Sequence, residues 1–428
     1  MASSRQTRQT LIGGCRLIII FLLLYGRPAL AQSQLPIIKA TSKTVDIRDG
    51  SHFKKGYWAI MPERKPDLYF VELPQKPGTV TFITDQDSIA FDVTYGHDYD
   101  FIILLDGTDS CYTRITTRYR DLNAATRVDI RPGPDTIPFT LGDNHKVYVK
   151  ATLNGTAVRD IQLDLGAGGT LINKTSVPKV KIDFDQTTTL TNSDGVNQVP
   201  NATKNVLQIG NLIWDSLPIA VAGNMKEHED IIISNSLFRD QILEINYDKR
   251  IVVVHDSLPP VTGYSRQEMI LDGGTIPYGR VSLTANEKEL TGWVMFDTGA
   301  RTSIVNSSDV PFFYRVWTEL SGMLGLEAAV APRLRIGDYE LSGFEYKIRD
   351  MGAGGKELKM LLGSDLLKRF NLILDNQNGY LYMQPNSLTT AAYGKRGEYY
   401  VVRAVVAALI LVTLILIIKK ARKKRLYA

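Results

Sequence analysis

The chain has 428 residues, 44% of them hydrophobic and 22% charged, with no low-complexity stretch. That length holds two or three domains with real cores, and the composition excludes a disordered chain. The formal net charge of +5 comes from the ends, where Lys419, Lys420, Arg422, Lys423, Lys424 and Arg425 follow one apolar run and Arg5, Arg8 and Arg16 precede another. Without these nine cations the balance is slightly acidic, which argues against nucleic acid as a partner.

The first apolar run, Leu17 to Tyr25, is broken by Gly26-Arg27-Pro28 and followed by Ala29-Leu30-Ala31, the A-x-A form of a cleavage site. It is about half the ~20 residues of a membrane-spanning helix, so residues 1–31 read as a secretory signal peptide rather than an uncleaved anchor. Residues 32–131 follow as a small β domain. Strand-like text recurs at Tyr57–Ile60, Leu68–Val71, Val80–Ile83, Ile89–Val93 and Tyr99–Leu105, separated by Gly, Pro and Asp turns, the pattern of an antiparallel β-sandwich. The acidic turns Asp85 with Asp87 and Asp106 to Asp109 lack the spaced ligand series of a calcium loop and read as solvated turns. Arg131-Pro132-Gly133-Pro134 marks a linker.

Residues 136–258 and 265–386 then repeat one another. In the first copy a hairpin from Val147 to Val158, with an Asn154-Gly155 turn signal, leads through Ile161-Gln162-Leu163 into Asp164-Leu165-Gly166-Ala167. In the second, Val281-Ser282-Leu283 leads through Trp293-Val294-Met295-Phe296 into Asp297-Thr298-Gly299-Ala300. Further blocks match in the same order: Leu171-Ile172 with Ile304-Val305, Leu207 to Gly210 with Leu334 to Gly337, and Ile231 to Phe238 with Met360 to Leu367. An apolar strand closes each copy, Ile242 to Ile245 and Leu372 to Leu374. Four matched blocks make two tandem β-rich lobes, each delivering one carboxyl from a strand end.

The last apolar run, within residues 400–418, is interrupted only by Arg403 and Thr413 and passes straight into the basic tail 419–428. Eighteen residues suffice to cross a bilayer core, and dense Lys/Arg on one flank marks the cytoplasmic side. The expectation is a single transmembrane helix, with Arg403 snorkelling at the outer edge and the ectodomain in the periplasm or outside the cell. A buried core helix, the alternative, would not normally run into a polybasic terminus. With Cys15 removed alongside the signal peptide, Cys111 is the sole cysteine and reads as a buried structural thiol.

The D-[LT]-G-A strand ends and the later apolar-apolar-[SG] segments resemble the aspartic peptidase superfamily, pepsin-like and retropepsin-like, and in particular its bacterial secreted or membrane aspartyl proteases. The likeness covers roughly residues 136 to 386. It implies a mainly β chain: a sandwich-like first domain, a bilobal pair of β-barrels, then the transmembrane helix. It also implies an Asp164–Asp297 dyad that cleaves peptide bonds in a peptide or protein substrate by water attack, without a cofactor. Gly166, Ala167, Thr298, Gly299, Ala300, Ser234 and Gly363 would support the dyad, with Ile232-Ile233-Ser234 and Leu361-Leu362-Gly363 bracing the acidic loops from behind.

The first copy departs from that family pattern at two positions. Leu165 stands where the family has Thr or Ser, whose paired hydroxyls bond across the lobe interface, and Ser234 stands where it has Gly. A membrane-anchored aspartic endopeptidase and a catalytically silent ectodomain that binds peptides or partner proteins both remain open. Thr187 to Val199, with Asp194-Gly195 as its turn, is a candidate flap, and Ser321 to Val330 is its counterpart; either also reads as a plain surface hairpin. The five histidines have no metal-ligand spacing, and Met351 to Gly355 reads as a loop without phosphate-binding context.

Overall fold

The computed structural model describes residues 35–428 except 50–52, 72–77, 95–96, 117–124, 129–132, 193–194, 227–228, 286–287, 311–314, 317–327, 352–357, 392–395 and 427–428. The signal-peptide segment, the start of the linker at Arg131-Pro132, most of the Ser321–Val330 insert and the glycine run from Gly352 lie outside those residues. The chain is mainly β.

The N-terminal residues form two four-stranded sheets around one core. One orders Ile37–Ala40, Asp98–Leu105, Asp109–Thr116 and Asp67–Phe70, and the other orders Phe53–Ala59, Thr44–Asp49, Gly78–Ile83 and Ser88–Val93. Alternation explains the layering. Phe101, Ile103 and Leu105 from one sheet and Val80 and Phe82 from the other are buried, while their neighbours along each strand face outward. Phe82 meets Phe101 and Tyr69 edge-on at centroid distances of 5.0 and 5.3 Å. The first sheet corrects the all-antiparallel expectation. Ile37–Ala40 runs parallel to Asp98–Leu105, and Asp67–Phe70 parallel to Asp109–Thr116, because neither edge strand reaches its neighbour through a hairpin. Cys111 is fully buried in this core, and burial pushes its thiol pKa up. Ile270 and Trp293, from the second lobe, complete the same cluster.

The repeated blocks take up one topology twice. In the first lobe, Thr156–Leu163 runs parallel to Ile231–Ile233, which lies antiparallel to Thr170–Asn173, itself parallel to Leu212–Ala222. In the second, Lys288–Phe296, Met360–Leu362, Ile304–Asn306 and Tyr339–Arg349 repeat those three relations. The Ile231–Ile233 and Met360–Leu362 strands are apolar because both of their neighbours are strands that close over the core.

A sheet shared by both lobes joins them. Asp135–Pro138, Ile251–His255 and Ile242–Asn246 of the first continue into Phe370–Asp375, Tyr380–Pro385 and Ser265–Asp272 of the second, with every pairing antiparallel. The lobes meet at Leu243 opposite Leu374 and Ile245 opposite Leu372, all buried. Behind this seam Asn235 and Asn376 exchange amide hydrogen bonds of 3.0 and 3.1 Å. The remaining amide protons go to the carbonyls of Thr275 and Phe238.

Arg369, buried behind the second lobe, places Nη1 within hydrogen-bond distance of the carbonyls of Leu388, Thr389 and Ala391. It fixes the segment that leads to the helix Arg396–Leu426, whose Leu409, Leu411, Leu414 and Leu416 are exposed. Among the described residues no helix is long and apolar enough to cross a membrane. The side chains of residues 402 and 403, inside the apolar run, are not among those described.

Asn376→Ala strands two buried partners and is expected to lower unfolding free energy by about 2–4 kcal/mol. Asn235→Ala should cost a similar amount, and the double variant well below the sum. Urea denaturation of the three variants measures the coupling, and additive losses would contradict the exchanged pair.

Candidate active site

Both D-x-G-A turns end central strands and face each other where the lobes meet. Asp164 takes its backbone position from the bond of its N–H to the Ile233 carbonyl, and Asp297 from the equivalent bond to Leu362, both 2.9 Å. The apolar strands therefore hold the acidic turns from behind. Each carboxyl lies against the glycine of the opposite turn, close enough for the charge of Asp297 to act on Asp164. Glycine follows because nothing larger fits. A methyl on Gly166 would overlap the carboxyl of Asp297, and one on Gly299 would overlap that of Asp164.

Burial raises the pKa of both acids above the ordinary carboxylate range, and for Asp164 the Asp297 charge adds to it. Each side chain keeps partial solvent access, as a group on a cleft floor does, while protein closes its other sides. The pair holds a proton at pH values where an exposed aspartate would have lost it, and the titration belongs to the pair.

Thr298, fully buried, is among the described residues the one side-chain hydroxyl that links the two turns. Its Oγ1 accepts from the Leu165 N–H at 3.0 Å and donates to the Leu163 carbonyl at 2.9 Å. Leu165 carries no hydroxyl to return the bond and instead packs, fully buried, in the main core. The brace across the interface is thus made in one direction, as the sequence implies.

The lobes differ further in how each acidic loop is tied down. In the second, Asp297 Oδ1 accepts from the N–H groups of both Gly299 and Ala300 at 2.8 Å. Ser364 N–H bonds the Ala300 carbonyl, Gly363 N–H bonds Ser303 Oγ, and Ser303 donates to Asp365. Gly363 is required there, since a methyl would run into the backbone of residues 300–303. In the first, Asp164 Oδ1 accepts from Gly166 alone, and the Ala167 N–H turns back to the Asp164 carbonyl. Ser234 bonds Ser236 instead of the loop, and Thr170 Oγ1, at the position of Ser303, is buried without a hydrogen-bond partner. Ser234 is accommodated because this loop, with Gly168 and Gly169 in open space, is not stitched against it. What sequence reasoning missed lies behind Asp164. Buried Gln162 donates to Asp164 Oδ2 at 3.1 Å and accepts from Lys146 Nζ at 3.0 Å. The signal was present as a glutamine in an otherwise apolar strand, Ile161-Gln162-Leu163.

The candidate flap forms a hairpin. Gln186–Asn192 pairs with Gly195–Ile209 in a register that sets Asn192 opposite Gly195. Asp194 of the expected Asp194-Gly195 turn lies outside the described residues.

Thr298→Val leaves the buried Leu165 N–H and Leu163 carbonyl without partners, and about 2–4 kcal/mol of stability should go with them. Thr298→Ser keeps the hydroxyl and should recover most of it. Equal losses in urea melts of the two variants would show that the methyl, not the hydroxyl, matters.

No protein-family model matches the chain, and no curated protein matches it. Among solved structures it is similar to the aspartic proteinase from Irpex lacteus, at 15% identity and a TM-score of 0.43, over 60% of this chain and 99% of that one. It is also similar to basic 7S globulin from soybean, at 9% identity and a TM-score of 0.41, over 61% of this chain and 98% of that one. At these scores the likeness carries no weight beside the geometry of the two turns.

Proposed function

We propose that the chain is a membrane-anchored aspartic endopeptidase with Asp164 and Asp297 as its catalytic pair. One observation carries this reading: two carboxyls from equivalent turns of two lobes face each other, each packed against the opposite turn's glycine, which admits no larger residue. A peptide bond is a poor electrophile, and hydrolysing it calls for a base and an acid at one point. The ionised carboxyl takes a proton from water as its oxygen attacks the carbonyl carbon, and the protonated carboxyl gives its proton to the carbonyl oxygen. The tetrahedral intermediate collapses as the newly protonated carboxyl gives its proton to the amide nitrogen, the other carboxylate takes one from a hydroxyl of the intermediate, and the C–N bond breaks.

The membrane anchorage is part of the same proposal. It rests on the apolar run Val401–Ile418, the basic residues after it and the helix Arg396–Leu426 that contains both. On this reading the ectodomain lies in the periplasm or outside the cell, and the basic tail in the cytoplasm. A second reading, a silent ectodomain that binds peptides or partner proteins, is favoured by the loosely tied loop of the first lobe and the orphaned Thr170 hydroxyl, since catalysis depends steeply on preorganisation.

Cleavage of a peptide library by the full chain from pH 3 to pH 8 separates the two. The expected profile is a bell centred above the ordinary carboxylate range, because both members of the pair are raised. Asp297→Asn should lower the rate by roughly 10²–10⁴-fold. A wild-type chain that cleaves nothing the variant spares would sink the enzyme reading.

The same shift fixes a stability trend. Because the folded pair retains a proton that the unfolded chain releases, the pair's contribution is present below the unfolded aspartate pKa and is lost as pH rises toward the folded one. Asp164→Asn should therefore melt higher than wild type at pH 7, by roughly 2–4 °C per 1 kcal/mol relieved. The difference should shrink near pH 3.5. A difference independent of pH would deny the raised pKa.

A further inference from the structure

Lys146 and Glu229 are both buried and lie next to the site without belonging to either acidic turn. Lys146 stands just before the strand Val147–Leu153, and Glu229 just before Ile231–Ile233. Lys146 Nζ donates to Glu229 Oε1 at 2.7 Å and to Gln162 Oε1 at 3.0 Å. Gln162 Nε2 in turn donates to Asp164 Oδ2 at 3.1 Å. Glu229 is held by the Lys226 N–H on Oε2, and its carbonyl accepts from the Asn173 amide. The second lobe has no counterpart, since Met295 occupies the place two residues before Asp297.

We propose that Lys146 is a positioning residue for the carboxyl pair, acting through Gln162 to turn an amide donor onto Asp164. An ammonium group can only donate, so the Gln162 face that meets Lys146 is its carbonyl oxygen, and the amide nitrogen is left to face the acid. Two neutral amides in this strand would have no such fixed sense. The chain Lys146–Gln162–Asp164 supplies to the first lobe what its loop lacks. Asp297 receives two turn amides, Asp164 receives one, and Gln162 provides the second from behind.

With an N–H donor on each of its oxygens, Asp164 has its carboxyl held in one orientation, whereas both turn amides on Asp297 go to Oδ1. The Lys146 charge pulls the pKa of both acids down, against the larger effect of burial. The other charged groups near the two turns have their own settings. Asp230 is bonded to Lys179 and Ser176, and Asp365 to Ser303. Arg301 is exposed, and burial, with the charges of Lys368, Arg301 and Arg369, lowers the His145 pKa. Asp143 beside His145 raises it.

The proposal rests on the carboxyl pair being the working site, and its test is read without any substrate. The full chain, labelled with ¹³C at aspartate carboxyl carbons, is titrated by NMR, and the pair is identified by the signals that Asp164→Asn and Asp297→Asn remove. Lys146→Met should raise the pair's lower titration step by at least about one pH unit, a tenfold gain in proton affinity. Glu229→Gln, which leaves the cation and removes its counter-charge, should move that step the opposite way. Gln162→Leu, an apolar residue as in the second lobe, should raise it.

A merely structural ion pair predicts lost stability in all three variants without opposite shifts. Should Lys146→Met fail to fold, Lys146→Met/Glu229→Gln removes both charges, and its lower step should lie above that of Glu229→Gln, which keeps the cation. An unchanged step, or shifts of one sign in Lys146→Met and Glu229→Gln, overturns the role of Lys146. If such variants still cleave peptides normally, the endopeptidase reading stands. Opposite shifts in a chain that cleaves nothing would uphold the role of Lys146 while that reading falls.

Discussion

Everything in the two-lobed part of this chain turns on bringing two like-charged groups together away from bulk water. A buried aspartate is costly, and a second beside it forces the pair to share a proton. Only a rigid frame can impose that arrangement, because either acid would relax toward solvent if its turn were free to move. The frame is the sheet that runs through both lobes, with Leu243 against Leu374 and Ile245 against Leu372 at its seam. The exchanged amides of Asn235 and Asn376 lock the layer behind it.

The frame is built twice from one plan, yet the two halves do not share the work equally. The second lobe ties its acidic loop with backbone amides, Ser303, Asp365 and an obligatory Gly363. The first has lost the hydroxyl at Leu165, the stitch from Ser234 and a partner for Thr170. Among the described residues, Thr298 alone ties the two turns through a side-chain hydroxyl. A duplicated structure tolerates such divergence because a bond made by one copy across the interface positions both.

How much of this is legible in the sequence follows from the physics of each feature. The strand-ending acids, their glycines and the apolar strands behind them are local patterns of two or three residues, and local patterns survive reading one letter at a time. The duplication made their meaning unambiguous, since four blocks in one order define one topology for both lobes. The edge strands of the first domain were misread in sense because parallel pairing leaves no hairpin signature between partners. The Lys146–Gln162–Glu229 chain was invisible because its members lie 16 and 67 positions apart and meet only once the barrel closes.

That hidden chain changes what the inequality of the two D-x-G-A turns means. Read from the sequence, Leu165 is a loss, one hydroxyl fewer to hold the acids in place. In the folded protein it lies next to a gain, a cation-oriented amide aimed at the same acid. A cation buried at 9% exposure is expensive unless its bonds are repaid. A methionine at position 162, like Met295 in the second lobe, would have filled the strand at lower cost. Keeping Lys146, Gln162 and Glu229 together in the interior is hard to account for by stability alone. Their placement against Asp164, the less well-supported of the two acids, gives that cost a use: support withdrawn from the front of the turn is returned from behind it.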